Sequence, residues 1–339
     1  MAKQVKIGLL GAGRIGKLHG ENLAHAVPEA NLYAVADPFM NDATREWAAA
    51  MGIQKCYDDP EKIFSDPSID AVFICSSTNT HADFILRAAK AGKHIFCEKP
   101  IDTNLAKIQE AIDAVQKAGV KLQVGFVRRF DHNHKKVRDT VASGMLGKPN
   151  LIKVTSRDPD HQPMEYIKVS GGIFMDMTIH DFDMARYLAG SEVTEVMAYG
   201  AALSGAGYEK FDDVDTAIVM LKFANGALGV IDNSRAAHYG YDQRTEVHCD
   251  KGCVQVANDL NDQAMISTAE GVSVAKPTWF FLERYNNAFI AEAKAFTEAV
   301  LNDTDTPVTG VDGLEPVKIA MAAAKSLKEG RPVTIAEIG

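Results

Sequence analysis

The first part of the chain alternates short apolar runs with segments of helical periodicity. The apolar runs have the length of strands and lie at 5–10, 32–36, 71–75, 94–97 and 122–125. Helical segments separate them, for example at 81–91 and 104–118. Strands that alternate with helices build a parallel sheet with helices on both faces. The pattern therefore predicts an α/β domain with a doubly wound parallel sheet over residues 1–124.

From about residue 150 the pattern changes to longer strand-like runs, in which apolar and polar residues alternate. These runs lie at 151–156, 193–203, 214–223, 227–235 and 245–257, with a turn at Asn225-Gly226. Hairpin-linked strands form antiparallel sheets, and the alternation gives such a sheet one broad open face. Helical patterns lie at 174–189, 284–302 and 312–328. We predict a second α/β domain, 125–339, with a large, mostly antiparallel, open-faced sheet.

A glycine-rich turn follows the first predicted strand. Gly11, Gly13 and Gly16 have the spacing Gly-x-Gly-x-x-Gly and open a helical segment. In a dinucleotide-binding turn the first glycine makes the bend, the second lets the backbone approach the pyrophosphate, and the third lets the helix pack on the strand. The helix N-terminus adds N–H groups for the phosphates. We therefore predict a Rossmann domain whose turn, including Arg14 and Ile15, binds the cofactor.

Asp37 ends the second predicted strand. It stands about 20 residues past Gly16, the usual distance for a carboxylate that binds the cofactor ribose. The nearest downstream arginine is Arg45, so no cation stands beside Asp37 for a 2′-phosphate, and NAD is favoured over NADP. Asp37-Pro38 is also a common turn start, and a turn-capping role is compatible with ribose binding.

Polar residues mark the ends of two further predicted strands. They are Ser76, Ser77, Asn79 and His81 after one strand, and Glu98 and Lys99 after the next. Because ligands bind at the carboxyl ends of strands in such sheets, we predict that all of them contact the cofactor. His81 equally suits a cap of the next helix, and Lys99 suits a structural role as well as a catalytic one.

A second glycine turn precedes the helical segment that contains Asp176 and His180. At positions i and i+4 of one helix, these two side chains would share a face. A carboxylate beside a histidine raises its basicity and fixes its ring, as a proton acceptor near neutral pH requires. An isolated pair of this kind is more often a surface ion pair, so the rest of the site must support the catalytic interpretation.

Composition narrows the class of ligand. Lys and Arg total 36 against 45 Asp and Glu, and the net charge of −9 argues against nucleic acid or anionic membrane as partner. No apolar stretch approaches the ~20 residues of a membrane span, and the chain begins with a charged strand rather than a leader, which predicts a cytoplasmic protein. Cys249 and Cys253 lack a second ligand pair nearby, so we predict no metal.

Together these motifs resemble those of the glucose-fructose oxidoreductase and inositol dehydrogenase family (Gfo/Idh/MocA). The resemblance spans essentially the whole chain. It rests on the N-terminal glycine turn, on the run at 98–100, and on the Gly-Gly loop that leads to Asp176 and His180. The family implies a Rossmann domain followed by an α/β domain whose open sheet makes oligomer contacts.

Within the family, the chain is most similar to inositol 2-dehydrogenases. The similar runs are Gly125-Phe126-Val127-Arg128-Arg129-Phe130-Asp131 and His238-Tyr239-Gly240-Tyr241-Asp242. One run departs from the pattern, because the sequence at 156–159 is Ser-Arg-Asp-Pro where those enzymes have His-Arg-Asn-Pro. Substrate contacts at Ser156 and Asp158 therefore differ, and the particular polyol stays open.

The resemblance implies NAD-dependent oxidation of a cyclitol secondary hydroxyl to a ketone. His180 would be the base, Asp176 would orient it or bind substrate, and Lys99 would stabilise the developing alkoxide. All three would contact the substrate. The candidates for other substrate contacts are Arg128, Ser156, Asp158, Tyr239 and Tyr241. Arg128, Asp158 and the two tyrosines suit a purely structural role equally well. The open sheet would pair subunits into a homotetramer.

Two other functions remain compatible with the sequence. Another sugar or polyol dehydrogenase on the same scaffold would differ only in pocket residues such as Ser156 and Asp158. A non-catalytic NAD-sensing regulator would keep the glycine turn and lose Lys99, Asp176 or His180. All three are present, which favours the enzyme.

Overall fold

The apolar runs of the first part of the chain form a parallel sheet in the computed structural model, which describes residues 3–339. The strands are β1 (Val5–Leu10), β2 (Ala30–Ala36), β3 (Lys55–Tyr57), β4 (Ala71–Ile74), β5 (His94–Glu98) and β6 (Leu122–Gly125). Their order is β3-β2-β1-β4-β5-β6, and every pair is parallel. β2 and β3 lie on one side of β1, and β4, β5 and β6 lie on the other side. The predicted doubly wound sheet is therefore confirmed.

Helices connect these strands. They are α1 (Arg14–His25), α2 (Asp42–Ala50), α3 (Glu61–Phe64), α4 (His81–Lys90) and α5 (Leu105–Ala118). Local signals set several of their ends: the Asn41 and Asn104 side chains accept hydrogen bonds from the first turns of α2 and α5. Gly119 ends α5 in the left-handed conformation. The helix boundaries are therefore encoded close to where they occur.

The later strands form a second sheet and a separate hairpin. The strands are β7 (Pro149–Arg157), β8 (Val193–Ala201), β9 (Thr216–Phe223), β10 (Leu228–Ser234), β11 (Asp242–Cys249), β12 (Gly252–Val256), β13 (Met265–Thr268), β14 (Gly271–Val274) and β15 (Val333–Thr334). The sheet order is β12-β11-β7-β10-β9-β8-β15, while β13 pairs with β14. β7 and β10 are parallel and the other neighbours antiparallel, which confirms the mostly antiparallel sheet.

Two predicted elements, one helix and one strand, differ from the structure. The remaining helices are α6 (His132–Ala142), α7 (Met164–Ser170), α8 (Gly172–Asp176), α9 (Ile179–Ala189), α10 (Phe281–Arg284), α11 (Asn286–Asn302) and α12 (Gly310–Glu329). The continuous helix predicted over 174–189 is wrong, because α8 ends at Asp176 and α9 begins at Ile179. The strand predicted over 245–257 is a hairpin, β11 and β12, that turns at 250–251.

One face of the second sheet is buried and the other is exposed. Along β9, Ala217, Val219 and Leu221 are buried, whereas Ile218 and Met220 are about half exposed. The buried face packs into the main apolar core of this part of the chain. The alternation seen in the sequence therefore produces an open sheet face, as predicted.

The division into units differs from the predicted boundary at residue 124. One unit contains the described residues up to Phe130 and also Asn287–Glu315, and the other contains Asp131–Asn286 and Pro316–Gly339. The return of α11 has a packing cause, because Phe296 lies edge-on to Phe73 at 5.4 Å between ring centroids and shares its core. Sequence-local patterns do not reveal such a long-range contact.

Candidate active site

The glycine turn after β1 has the geometry of a phosphate-binding turn. Gly11 has a φ of +95°, and a Cβ on it would lie 2.7 Å from the Ser76 backbone nitrogen. A Cβ on Gly16 would lie 2.0 Å from the Gly11 carbonyl oxygen, so α1 packs directly on the turn. Gly13 caps α1 without a side-chain hydrogen bond, and a Cβ there would meet nothing within 4 Å. The open space before the helix N-terminus fits a dinucleotide pyrophosphate.

The first turn of α1 carries the two other predicted turn residues. Arg14 is exposed and Ile15 is half-buried, and no acidic side chain occupies this first turn. The positive end of the helix dipole is therefore not offset by a local carboxylate on the helix itself.

Asp37 combines the two roles that the sequence leaves open. Its Oδ1 accepts a hydrogen bond from the Phe39 N–H at 2.7 Å, which caps the turn after β2. Its Oδ2 accepts from the Ala12 N–H at 2.6 Å, inside the glycine turn. The carboxylate is half-buried and lies beside the predicted phosphate site, and each oxygen keeps capacity for a further hydrogen bond.

The loop after β4 presents some of its predicted residues and buries one of them. Ser77 and Asn79 are exposed, and the Ser76 hydroxyl shares a 2.7 Å hydrogen bond with Thr80. His81 is only 2 % exposed. Its Nδ1 and Nε2 lie 2.8 and 3.0 Å from the carbonyl oxygens of Pro100 and Ser76. His81 thus links the loop after β4 to the loop after β5, and its ring has almost no exposed surface for the cofactor contact that we predicted.

Glu98 belongs to a buried polar cluster that the sequence does not suggest. Its Oε1 lies 2.8 Å from His19 Nε2, and His19 Nε2 lies 3.8 Å from Oε1 of Glu292 on α11. His19 and Glu292 are fully buried, and both Glu292 oxygens lack a hydrogen-bond partner. Burial, and then the neighbouring Glu98 charge, raises the pKa of Glu292 well above its ordinary value. The described contacts of Glu98 therefore lie within the fold rather than at the cofactor surface.

Lys99 and Arg128 lie in the same unit as the predicted cofactor residues. Lys99 follows β5 directly and is half-buried. Arg128 lies in the short turn Val127–Phe130 and is 5 % exposed. The catalytic role of Lys99 and the substrate contact of Arg128 stay predictions.

Asp176 and His180 flank the break between α8 and α9. The Thr178 hydroxyl donates to the Asn233 side chain at 2.7 Å, and the Thr178 N–H donates to the Ile173 carbonyl. The Thr178 N–H thus bonds to a carbonyl five residues back, so the backbone departs from the regular four-residue helical pattern at the break. The expectation that Asp176 and His180 share the face of one continuous helix is therefore wrong.

The Asp176 carboxylate contacts a buried arginine that sequence reasoning missed. Its Oδ1 accepts from the Tyr166 hydroxyl at 2.6 Å, and its Oδ2 accepts from Arg235 Nη2 at 2.9 Å. Arg235 Nη1 also lies 3.8 Å from Asp158 Oδ2. One guanidinium therefore connects two of the predicted site carboxylates. Arg235 ends the strand predicted over 227–235. Period-two alternation contained a signal for its burial, since Ile231 and Asn233 share the buried face of β10, but no local signal indicates its partners.

Ser156 faces the interior of the protein. It is 0 % exposed, and its hydroxyl pairs with the Gln243 side chain at 3.0 Å. The contact predicted between Ser156 and a substrate is not supported, because the side chain has no surface to offer a dissolved molecule. Period-two alternation contained the signal, since Ile152, Val154 and Ser156 share the buried face of β7.

The two tyrosines after β10 have different environments. Tyr239 is 44 % exposed, and its hydroxyl donates to Asp242 at 2.6 Å and accepts from Arg157 at 3.2 Å. Burial, together with the hydrogen bond to Asp242, raises the pKa of Tyr239. Tyr241 is 5 % exposed and packs edge-on to Tyr285. Tyr239 keeps the surface that a substrate contact needs, whereas Tyr241 is part of the packing.

The structure of residues 3–339 tests whether a helix could span a membrane, but it does not test the expected absence of a metal. Every helix in this range is too short or too polar to cross a membrane. On the β11–β12 hairpin, burial raises the pKa values of Cys249 and Cys253, which disfavours the thiolate form that binds zinc. The expected absence of a metal stays a prediction.

Comparison with known proteins places the chain in a family. Residues 5–126 match the oxidoreductase family with an NAD-binding Rossmann fold, and residues 134–255 match the GFO/IDH/MocA C-terminal domain. The chain belongs to the GFO/IDH/MocA oxidoreductase family. The predicted family, the NAD-binding domain and the oxidoreductase class are thereby confirmed.

Individual relatives match over both units. The myo-inositol 2-dehydrogenase of Thermotoga maritima is 47% identical over 98% of this chain and 99% of its own. The uncharacterized oxidoreductase YrbE of Bacillus subtilis is 49% identical over 99% of this chain and 98% of its own. The crystal structure of scyllo-inositol dehydrogenase from Lactobacillus casei, with NAD(H) and scyllo-inositol bound, is 30% identical with a TM-score of 0.92, and the match covers 98% of this chain and 100% of that one.

Proposed function

We propose that the chain is an NAD-dependent inositol 2-dehydrogenase, which oxidises one secondary hydroxyl of an inositol to a ketone. The observation that carries this proposal is the full-length similarity to the myo-inositol enzyme of Thermotoga maritima, at 47% identity. The chain also has Lys99, Asp176 and His180, the residues that such chemistry requires in this family. The products are the inosose, NADH and one proton.

The proposed roles follow from the needs of the reaction. NAD supplies the hydride acceptor when it is bound, and the glycine turn and Asp37 hold it. His180 removes the hydroxyl proton as the general base, and the Lys99 ammonium stabilises the negative charge that develops on the oxygen. Asp158 and Asp176 are each 14 % exposed at the side chain. Their carboxylates can accept hydrogen bonds from neighbouring hydroxyls, which a polyhydroxylated ring offers in number.

The identity of the epimer is the finer part of the proposal. One relative is a myo-inositol enzyme and another holds scyllo-inositol in its crystal structure. A related sugar or polyol is the second candidate, because Asp158 departs from the pattern of the inositol enzymes. The burial of Ser156 means that the departure at this position acts on Gln243 rather than directly on a substrate.

A substrate panel tests the proposal. Purified protein is mixed with NAD and with myo-inositol, scyllo-inositol, glucose or a linear polyol, and NADH formation is followed by absorbance. We expect catalytic efficiency to be highest with one of the two inositols. Higher efficiency with glucose or the linear polyol would support the second candidate, and no NADH with any compound would contradict the enzyme and favour an NAD-sensing regulator.

A homotetramer and a cytoplasmic location complete the proposal. The exposed face of the second sheet, with Tyr199, Ile218, Met220 and Leu228 about half exposed, supports subunit pairing. Cell fractionation tests the location independently.

A further inference from the structure

We propose that Arg235 is a positioning residue, which holds the Asp158 and Asp176 carboxylates in the arrangement that binds the substrate hydroxyls. The inference rests on the proposed function and adds a residue to it. Arg235 carries no role in the mechanism described above, although it is among the largest fully buried side chains of the described residues.

Strand pairing explains why Arg235 lies beside Asp158. β7 and β10 are parallel, and their last pair is Arg157 opposite Ser234. The Asp158 N–H then donates to the Ser234 carbonyl at 2.8 Å. The next residues, Asp158 and Arg235, therefore leave the carboxyl ends of two adjacent strands together. This is the edge at which strand-end residues commonly bind ligands.

The Arg235 backbone is fixed as firmly as its side chain. Its N–H donates to the Asp215 carbonyl at 2.9 Å, which continues the pairing towards β9. Its guanidinium reaches Asp176 at 2.9 Å and lies 3.8 Å from Asp158. A planar guanidinium with several fixed donors suits this bridging position better than a lysine ammonium does.

Electrostatics favour the charged form of the Arg235 guanidinium. Burial disfavours the charged guanidinium, but the Asp176 and then the Asp158 charges outweigh it, and the pKa of Arg235 lies above its ordinary value. The Tyr208 ring also lies 6.0 Å from the guanidinium carbon. Without the cation, the two carboxylates would lose the positive charge that they share.

Exposure separates the roles of the three groups. Arg235 has a side-chain exposure of 1 %, whereas Asp158 and Asp176 each have 14 %. The carboxylates therefore have surface for a ligand, and the arginine lies behind them. Tyr166 fixes the second oxygen of Asp176 from α7. Arg235 thus acts on a substrate through the two aspartates and not by contact.

The test compares Arg235→Gln and Arg235→Lys with Arg284→Gln. Arg284 is another buried arginine of the same unit, and it pairs with Asp131 at 2.6 Å and Asp259 at 3.1 Å instead of with Asp158 and Asp176. For each variant we would measure kcat and KM for inositol across pH, NAD affinity and the unfolding midpoint. Arg284→Gln reports what the loss of a buried ion pair does by itself.

We expect Arg235→Gln to raise KM for inositol by ~10-fold or more, the loss expected when hydrogen bonds to charged groups are misplaced. The acidic limb of the kcat/KM profile should move to higher pH, because the pKa values of Asp158 and Asp176 rise when their cation is lost. The other titratable groups around this cluster are Tyr166, Tyr208 and Asp213. Arg235→Lys should give a smaller change, and NAD affinity should stay constant. Arg284→Gln should lower the unfolding midpoint without moving KM or the pH limb.

Several outcomes overturn the proposal. One is an Arg235→Gln enzyme with wild-type KM and pH dependence, and another is a variant that changes only as Arg284→Gln does. If Arg235→Gln does not fold, Arg235→Lys decides, and wild-type KM and pH dependence for it overturns the proposal. If the wild type is inactive on every inositol, the proposed function is wrong instead. A double-mutant cycle of unfolding free energies with Arg235→Gln and Asp158→Asn would then still measure whether the two residues interact.

Discussion

Asp37 accepts backbone hydrogen bonds from two segments, the glycine turn and the turn after β2. It is therefore placed by the fold before any ligand arrives. A carboxylate held there can accept from a ribose 2′-hydroxyl and repels a 2′-phosphate. Cofactor preference should thus depend on this single residue.

Replacing Asp37 tests that dependence. In Asp37→Ala we expect the ratio of kcat/KM for NAD over NADP to fall by ~10-fold or more, because a hydrogen bond to a charged group contributes about 1.5–3 kcal/mol. Efficiency with NAD should fall as well, since the Ala12 N–H loses its acceptor. The control is Asp42→Ala, an exposed carboxylate at the start of α2. An unchanged ratio in Asp37→Ala would assign NAD preference to other residues.

At the residue scale, sequence predicts what is encoded locally. The roles of Gly11, Gly13 and Gly16 follow from their spacing alone, because the turn needs those conformations at those positions. Arg235 and Glu292 could not be found in this way. Their partners come from distant parts of the chain, and only the folded strands and helices bring them together.

At the scale of elements, the break between α8 and α9 shows where periodicity is insufficient. The apolar pattern of 174–189 continues through the break, so the sequence reads as one helix. In the structure the Thr178 N–H donates to the Ile173 carbonyl, five residues back, and α8 and α9 are separate at this point. The Thr178 hydroxyl bonds to Asn233 on β10, a contact that local periodicity does not reveal.

Helix α11 supplies a pH-dependent contribution to stability through Glu292. The unfolded chain releases this carboxyl proton near its ordinary pKa of 4.5, whereas burial keeps it bound to higher pH in the native state. Between pH 4.5 and the native pKa, the unfolded state binds fewer protons than the native state does. The free energy of unfolding therefore falls by up to about 1.4 kcal/mol per pH unit as the pH rises through this range. The contribution is fully present only below pH 4.5.

Glu292→Gln tests this sign. Glutamine imitates the neutral carboxyl, so its unfolding midpoint should rise relative to wild type between pH 5 and pH 8. The control Glu298→Gln lies on the same helix with an exposed side chain and should show no such trend. A relative midpoint for Glu292→Gln that is independent of pH would contradict the account of the cluster. A metal ion held by His19, Glu98 and Glu292 would instead make the variant less stable at every pH, and elemental analysis would detect it.

At the scale of the whole molecule, the sequence predicts a parallel sheet followed by a mostly antiparallel one, but it does not predict which residues belong to each unit. Alternation of helices and strands, followed by hairpin-linked strands, indicates the two kinds of sheet. The return of Asn287–Glu315 to the first unit was not predictable, because α11 reads as an ordinary late helix. Its membership follows from the packing of Phe296 with rings of the parallel sheet.

The open face of the second sheet should determine assembly. We expect light scattering to give a tetramer mass for the wild type at micromolar concentration. Met220→Asp should shift the mass to smaller species, because it adds a charge to an exposed apolar face. Met145→Asp, at an exposed methionine outside the strands of the sheet, is the control. A wild-type monomer across that concentration range would contradict the prediction.

The central claim is that His180 acts as the base and Lys99 as the cation in NAD-dependent oxidation of an inositol. The most direct measurement is the pH dependence of inositol turnover for wild type, His180→Ala and Lys99→Ala, with NAD affinity measured separately. We predict that His180→Ala lowers kcat by at least ~10²-fold and that Lys99→Ala lowers it as much or more, with NAD affinity nearly unchanged. Near wild-type turnover by His180→Ala with the same pH dependence would contradict the claim.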